Sequence, residues 1–508
     1  MSSVTADPFG TARLRAAVLD SWRSSPTRFR EDANVEEDYA LGSYRDRLVV
    51  ELAQNASDAA RAAGVPGRLY LRLDDDGLVA ANVGAPLDRA GVESLSAMRA
   101  SSKPEGSVGR FGVGFAAVLA VSDAPEVWSR DGGVRFDRSA TAQLLAEDAT
   151  LSSLVDGRRP PALRVPFPVD TAPPDGYDTA VFLPWRDAGA QEFGLAAVAA
   201  IDEVLLLALP LLDEVVLEVL RNGHVERHVW RVDRAATPLV VHHDDERSCW
   251  RVAVISGGVS EADEESLPHE EMLRRQWSAT VAVPVTKDGL PRALPEALAR
   301  VVHAPTPTDE PWSLPVVAIG DFRLDSSRRR IVEGVRTDVV ADALATAYAS
   351  LVMDLAREQG AAALSLVPPA ALVGPIDHRV REAVRTRLAS SRWVPRAHDA
   401  ELSTPSGLVA LEPAEPSVTR VLAEHVVDLA DPDWVGGELR SLGLVVRPLH
   451  EVWDTLAPLD IAPTQWLAIY EAVQRLDRLA LEGLPVPLAD GRVLRGLRTA
   501  MLAGGHGS

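Results

Sequence analysis

The sequence predicts an α+β protein of several regions, and three observations carry that expectation. Apolar residues recur at helical spacing around 48–59, apolar runs flank Asp-Gly and Asn-Gly turns, and the two patterns alternate along the chain. At 508 residues the chain exceeds what one core serves, and 46% hydrophobic content suffices for two or three domains.

From the N-terminus, a helix is expected over 11–22 and a polar arm over 23–39. They lead to a helix that reads Glu-Leu-Ala-Gln-Asn-Ala-Ser-Asp-Ala from Glu51. Glu51, Asn55 and Asp58 fall at i, i+4 and i+7 on one face, while Leu48, Leu52, Ala56 and Ala59 form the stripe that lies on a sheet. The polar face suits a magnesium nucleotide. An Asn carbonyl oxygen can ligate a hard cation that keeps most of its waters, and a Glu one turn earlier can take a proton from attacking water. An ordinary amphipathic surface helix carries the same residues, so the pattern gains its meaning from the motifs downstream of it.

Next, runs at 69–73 and 78–84 around Asp76-Gly77 predict a hairpin, with Asn82 and Gly84 at the end of its second strand. A polar segment at 98–108 holds Lys103, one of two lysines in a chain with fifty arginines. Then comes Gly109-Arg110-Phe111-Gly112-Val113-Gly114-Phe115 and an apolar helical run over 116–121. A glycine-rich turn feeding a helix lets backbone N–H groups close on phosphate oxygens, helped by the helix dipole. Dinucleotide-binding loops also use spaced glycines, but they follow the first strand of a βαβ unit; this loop follows a polar, strand-poor segment. A later strand at 178–184 opens on Asp178-Thr179.

In this order the pieces resemble the motif series of the GHKL ATPases, a class that includes ninety-kilodalton heat-shock chaperones, DNA gyrase B subunits, mismatch-repair MutL proteins and histidine kinases. The Glu51 string and Gly109 to Phe115 look most like the heat-shock chaperones and the related sacsin-type proteins. The resemblance implies a GHKL-type α/β sandwich, a mixed sheet with helices on one face, over residues 1–190. It implies ATP and Mg2+ as cofactors, with Glu51 as general base and Asn55 as magnesium ligand. Asp58 would support the same face, Asn82, Gly84 and Thr179 would meet the adenine, and Lys103 would reach phosphate from a mobile lid over 98–108. Gly109, Gly112, Val113, Gly114 and Phe115 would cradle the phosphates.

One position departs from the family pattern. The usual adenine motif is Asp-x-Gly-x-Gly, whereas this chain reads Asn82-Val83-Gly84-Ala85-Pro86. A neutral Asn acceptor makes a hydrogen bond weaker than a carboxylate's by roughly 1 kcal/mol. Pro86 in place of the second glycine stiffens the path into the lid. Asn at this position fits the sacsin-type pattern, as does the stretch from Leu314 to Arg330 with its Phe322-Arg323-Leu324-Asp325-Ser326 core. Related chaperones supply an arginine to the γ-phosphate from the second domain, which makes Arg328 and Arg329 the candidates here.

That second α/β domain is expected over 191–358. It contains a connecting helix at 194–209, a hairpin around Asn222-Gly223, strands at 250–255 and 279–285, a Pro-rich loop at 305–315, and a helix capped by Thr337. Residues 359–508 read as helix-rich with short hairpins, one helix carrying Val380, Val384 and Leu388 and another Trp466, Ile469 and Tyr470. His242-His243-Asp244-Asp245 reads as a solvated loop, because four adjacent residues on an extended chain cannot all face one ion. Ser326 and Ser327 have no neighbouring histidine to activate them.

Composition narrows the function. A net charge of −21 and the lack of a basic domain argue against a DNA-holding member of the class, and no histidine precedes His224 to serve as a kinase phosphoacceptor. The apolar region at 204–220 is broken by Asp213 and Glu214, so no membrane partner is expected. With Cys249 as its one cysteine, the chain suits a reducing, cytoplasmic setting. The expectation is a slow ATP-dependent chaperone acting on client proteins, with a homodimer in which the N-terminal arm exchanges. The alternative is a nucleotide-gated interaction module that does not hydrolyse.

Overall fold

The computed structural model describes residues 7–41, 47–97, 114–155, 157–258, 276–296, 298, 300–325, 329–369, 373–476, 481–488 and 491–496. It is an α+β fold organised around a mixed sheet of fourteen strands.

Three helices open the chain: α1 (Thr11–Ser24), α2 (Pro26–Leu41) and α3 (Leu48–Ala63). The expected arm at 23–39 is therefore mostly helix. Its polar sequence hid a buried face on which Phe29 packs edge-on against Trp22 and Asp32 accepts the Trp22 indole N–H at 2.9 Å. α3 buries Leu48, Leu52, Ala53, Ala56 and Ala60 as the period predicts. It stops at Gly64, whose left-handed φ of 67° lets the Val65 N–H return to the Ala60 carbonyl.

β1 (Gly67–Leu73) and β2 (Gly77–Asn82) form the predicted hairpin, with Leu69, Leu71, Leu73 and Leu78 buried under α3. Each such leucine contributes on the order of 2 kcal/mol. β2 pairs with β6 (Thr179–Pro184), and beyond it lie β3 (Glu126–Ser129), β4 (Gly132–Phe136) and β5 (Pro166–Val169). The connections among these strands carry α4 (Arg89–Ala97), α5 (Arg138–Ala146) and α6 (Ala149–Val155). The helical run expected after the glycines is a fully buried 3-10 helix, Gly114–Ala120.

On its other edge β1 pairs in parallel with β7 (Leu212–Arg221). The sheet thus runs without a break from the first 190 residues into the next region. The connection is α7 (Ala188–Ala199) and α8 (Glu203–Ala208), two helices where one was expected. The break falls where Asp202 caps α8 by accepting the Val204 N–H. β7 turns into β8 (His224–Asp233) through Asn222 and Gly223, both at positive φ (51° and 75°), as an Asn-Gly hairpin requires. β9 (Leu239–His243), β10 (Glu246–Gly258), β11 (Gln276–Val285), β14 (Val317–Gly320), β12 (Val301–His303) and β13 (Pro307–Pro311) complete the sheet.

A second core lies where α9 (Val335–Gln359) covers this part of the sheet, with Leu344, Tyr348 and Val352 buried among sheet residues Val281 and Val283. Gly334, not Thr337, caps α9; the Thr337 hydroxyl sits in the first turn and donates to the Val332 carbonyl at 2.6 Å. The segment Val335–Leu366 is apolar enough to span a membrane by composition, but 67% of its apolar window is buried in the fold. α10 (Pro375–Ser390) packs on α9 and ties back to the Pro-rich loop: its Asp377 accepts from the Ser313 N–H at 2.7 Å and pairs with the buried Arg381. Short helices and two-stranded sheets then form a separate core around Trp453, Trp466 and Ile469.

Candidate functional site

α3 carries the candidate site along its length. Near its N-terminus Glu51 is buried, and its Oε1 accepts from Arg47 Nε at 3.2 Å. A methyl group built on Gly114 would stand 2.1 Å from Glu51 Oε2. The carboxylate therefore rests in the space that the absent side chain leaves, and the end of the glycine motif and the acidic residue of α3 are brought together.

Two turns further on, the end of the hairpin meets the same helix. A Cβ on Gly84, whose φ is 130°, would fall 2.4 Å from the Ala59 carbonyl, and the Ala85 N–H donates to that carbonyl at 3.0 Å. Only glycine admits so close an approach at that φ. Asn82 is buried, pairs in register with Thr179 across β2 and β6, and donates to the Val83 carbonyl at 3.3 Å. The Thr179 hydroxyl accepts the Leu87 N–H at 3.3 Å. Residues 51 and 59 lie about 12 Å apart along the helix, a length that a nucleoside triphosphate can span.

Two residues the sequence did not single out complete this geometry. Asp178 takes the Gly84 N–H at 2.6 Å through one oxygen and contacts Arg130 through the other. A buried carboxylate thus stands beside Asn82, whose main-chain carbonyl accepts the Asp178 N–H at 2.9 Å. Arg47 was detectable from its i, i+4 spacing to Glu51. Asp178 was not, because its meeting with Gly84 depends on strand register.

Of the other expected site residues, Asn55 is half-buried on the same helix, and Asp58 is paired with Arg61 at 3.1 Å near the surface. Phe115 is buried and tilted against Phe136, so its side chain belongs to the core and only its backbone can face a ligand. Lys103, Gly109, Gly112, Val113 and Arg328 lie outside the described residues, as do the expected lid and Ser326 and Ser327. Arg329 Nε is paired with Asp309 at 3.0 Å.

A cleft of about 480 Å³ lies elsewhere, on the sheet face opposite α3. It is lined by Arg68, Tyr70, Tyr177, Glu214, Glu218 and Arg231. Glu214 bridges Arg68 and Arg231, and Tyr70 donates to Glu218 at 2.7 Å, so its polar groups answer one another across β1, β7 and β8. None of the expected nucleotide residues lines it. Comparison with protein-family models and with curated proteins returns no match for this chain.

Proposed function

We propose that residues 1–190 are a GHKL-type ATP-binding unit and that the chain is a chaperone-like ATPase of the heat-shock or sacsin type. The observation that carries the reading is the packing of Glu51 against Gly114: two motifs more than sixty residues apart meet at van der Waals limits. On this reading Glu51 accepts the proton of the attacking water, Asn55 offers its carbonyl oxygen to Mg2+, and the backbone N–H groups at Gly114 and Phe115 hold phosphate oxygens. Asn82, Thr179 and Asp178 would form the adenine end, with Asp178 also fixing the Gly84 turn. The magnesium ion would neutralise phosphate charge; the fit rests on a half-buried carboxamide one turn from a buried carboxylate.

A second reading, the nucleotide-gated module that does not hydrolyse, is favoured by one contact. Arg47 occupies an oxygen of Glu51 in a buried pair, and a base held in this way must turn to meet water. Calorimetric titration with ATP, with and without Mg2+, tests binding under both readings. The parent should bind ATP with a magnesium-dependent gain that Asn55→Ala loses. Failure of the parent to bind either form would remove both.

A further inference from the structure

The β9–β10 hairpin holds a second cluster, far in sequence from the nucleotide motifs. Asp244 opens its two-residue turn at a φ of 51°, and the preceding residue His243 lies opposite Trp230 on β8. Along the chain itself these residues face different ways. The neighbouring strand supplies what a single strand cannot: His228, two residues before Trp230 on the same face. One ligand atom from each of His228, His243 and Asp244 falls within 4.8 Å of the others.

We propose that His228, His243 and Asp244 form a site for a divalent first-row transition metal, zinc above others, that clips β8 to the β9–β10 turn. Asp244 Oδ2 lies 2.8 Å from His228 Nδ1 and 3.7 Å from His243 Nε2. In a tetrahedral zinc site with bonds of about 2.0–2.1 Å, ligand atoms stand roughly 3.3 Å apart. Both distances to the carboxylate thus lie within about half an ångström of coordination spacing, and the ligand atoms of the two imidazoles lie within 4.8 Å of each other. Two imidazoles and one carboxylate match the donors of three-ligand zinc sites, leaving a position for water.

The surroundings are those of a supported site. His243 Nε2 is buried without a hydrogen-bond partner, and its ring is stacked on Trp230 at 4.4 Å and 10°. A buried, unpaired ring nitrogen costs free energy that a metal bond would recover. His228 Nε2 lies 3.1 Å from Glu226, the carboxylate contact that orients a metal-bound imidazole and fixes its tautomer. The other oxygen of Asp244 accepts the Val229 N–H at 2.7 Å, which holds the carboxylate in place. Coordination through His228 Nδ1 requires that nitrogen to be without a proton, any proton there passing to solvent, and leaves Nε2–H to donate to Glu226.

Zn2+ titration of the full chain without nucleotide, by calorimetry near neutral pH, tests this. One Zn2+ should bind per chain. His228→Ala and His243→Ala should each weaken it by more than roughly tenfold, and Glu226→Gln by about tenfold, the usual effect of losing an outer contact. His242→Ala, on the exposed opposite face, should change it little. Cobalt(II) at the same site should give the visible absorption of a low-coordinate ion, and lose it in His243→Ala. Circular dichroism checks that each variant is folded. No zinc binding by the parent, or equal binding by the folded His228 and His243 variants, would overturn the proposal.

Discussion

Gly114 shows how a single residue can set the position of a buried carboxylate, here the proposed general base Glu51. Any side chain there would collide with Glu51 Oε2, and because the carboxylate is buried and paired with Arg47, it cannot swing into solvent without breaking that pair. The Gly114→Ala variant should therefore lose stability and, where folded, lose ATP turnover by more than roughly tenfold, the scale expected when a reacting group is displaced by about an ångström. Steady-state turnover beside a binding titration checks it; unchanged turnover would mean that Glu51 does not act from its observed position. Glycine spacing made this position legible in the sequence, but only as a phosphate-binding signal. That the same glycine also makes room for the Glu51 carboxylate depends on a contact between residues 51 and 114, which no local pattern encodes.

At the scale of elements, α2 is the part the sequence hid best. Its charged residues suggested a polar arm, yet Glu36 is fully buried and accepts from the Ala162 and Leu163 N–H groups at 2.6 and 2.8 Å. Burial is the largest influence and pushes its carboxyl up from 4.5 to about 7, against the pull of those N–H groups, Arg138 and Arg164. A carboxyl whose pKa is raised by folding favours the folded state below its unfolded value, and that contribution is lost as pH rises through the folded one. Stability should thus decline between about pH 4.5 and 7 by up to roughly 1 kcal/mol per pH unit from this group alone. Urea unfolding across that range should show Glu36→Gln with a flatter profile than the parent; parallel profiles would contradict the assignment. Periodicity found α3, the β1–β2 hairpin and the Asn222-Gly223 turn, because there one face is apolar or one dipeptide decides the backbone. It failed on α2, where charged residues are buried by partners distant in sequence.

For the whole molecule, the parallel pairing of β1 with β7 changes what a domain boundary at residue 190 means. A chain ending at 190 would leave the edge of β1 open beside the core leucines Leu69 and Leu71. A chain ending at 233 would keep β7 and end the sheet on β8, half of whose side chains are exposed and polar. The 1–233 fragment should therefore melt several degrees higher and stay soluble at concentrations where 1–190 aggregates; equal behaviour would show that the shared sheet contributes little. The continuous sheet also joins the candidate nucleotide unit to the strands of the following region. Hydrolysis of ATP with Glu51 as the base is the central claim. The most direct test is magnesium-dependent ATP turnover of the full chain beside Glu51→Ala, with nucleotide binding recorded on both. Slow turnover is expected in the parent and should disappear in the variant while binding persists. Turnover that survives in Glu51→Ala, or no binding by either protein, would contradict it.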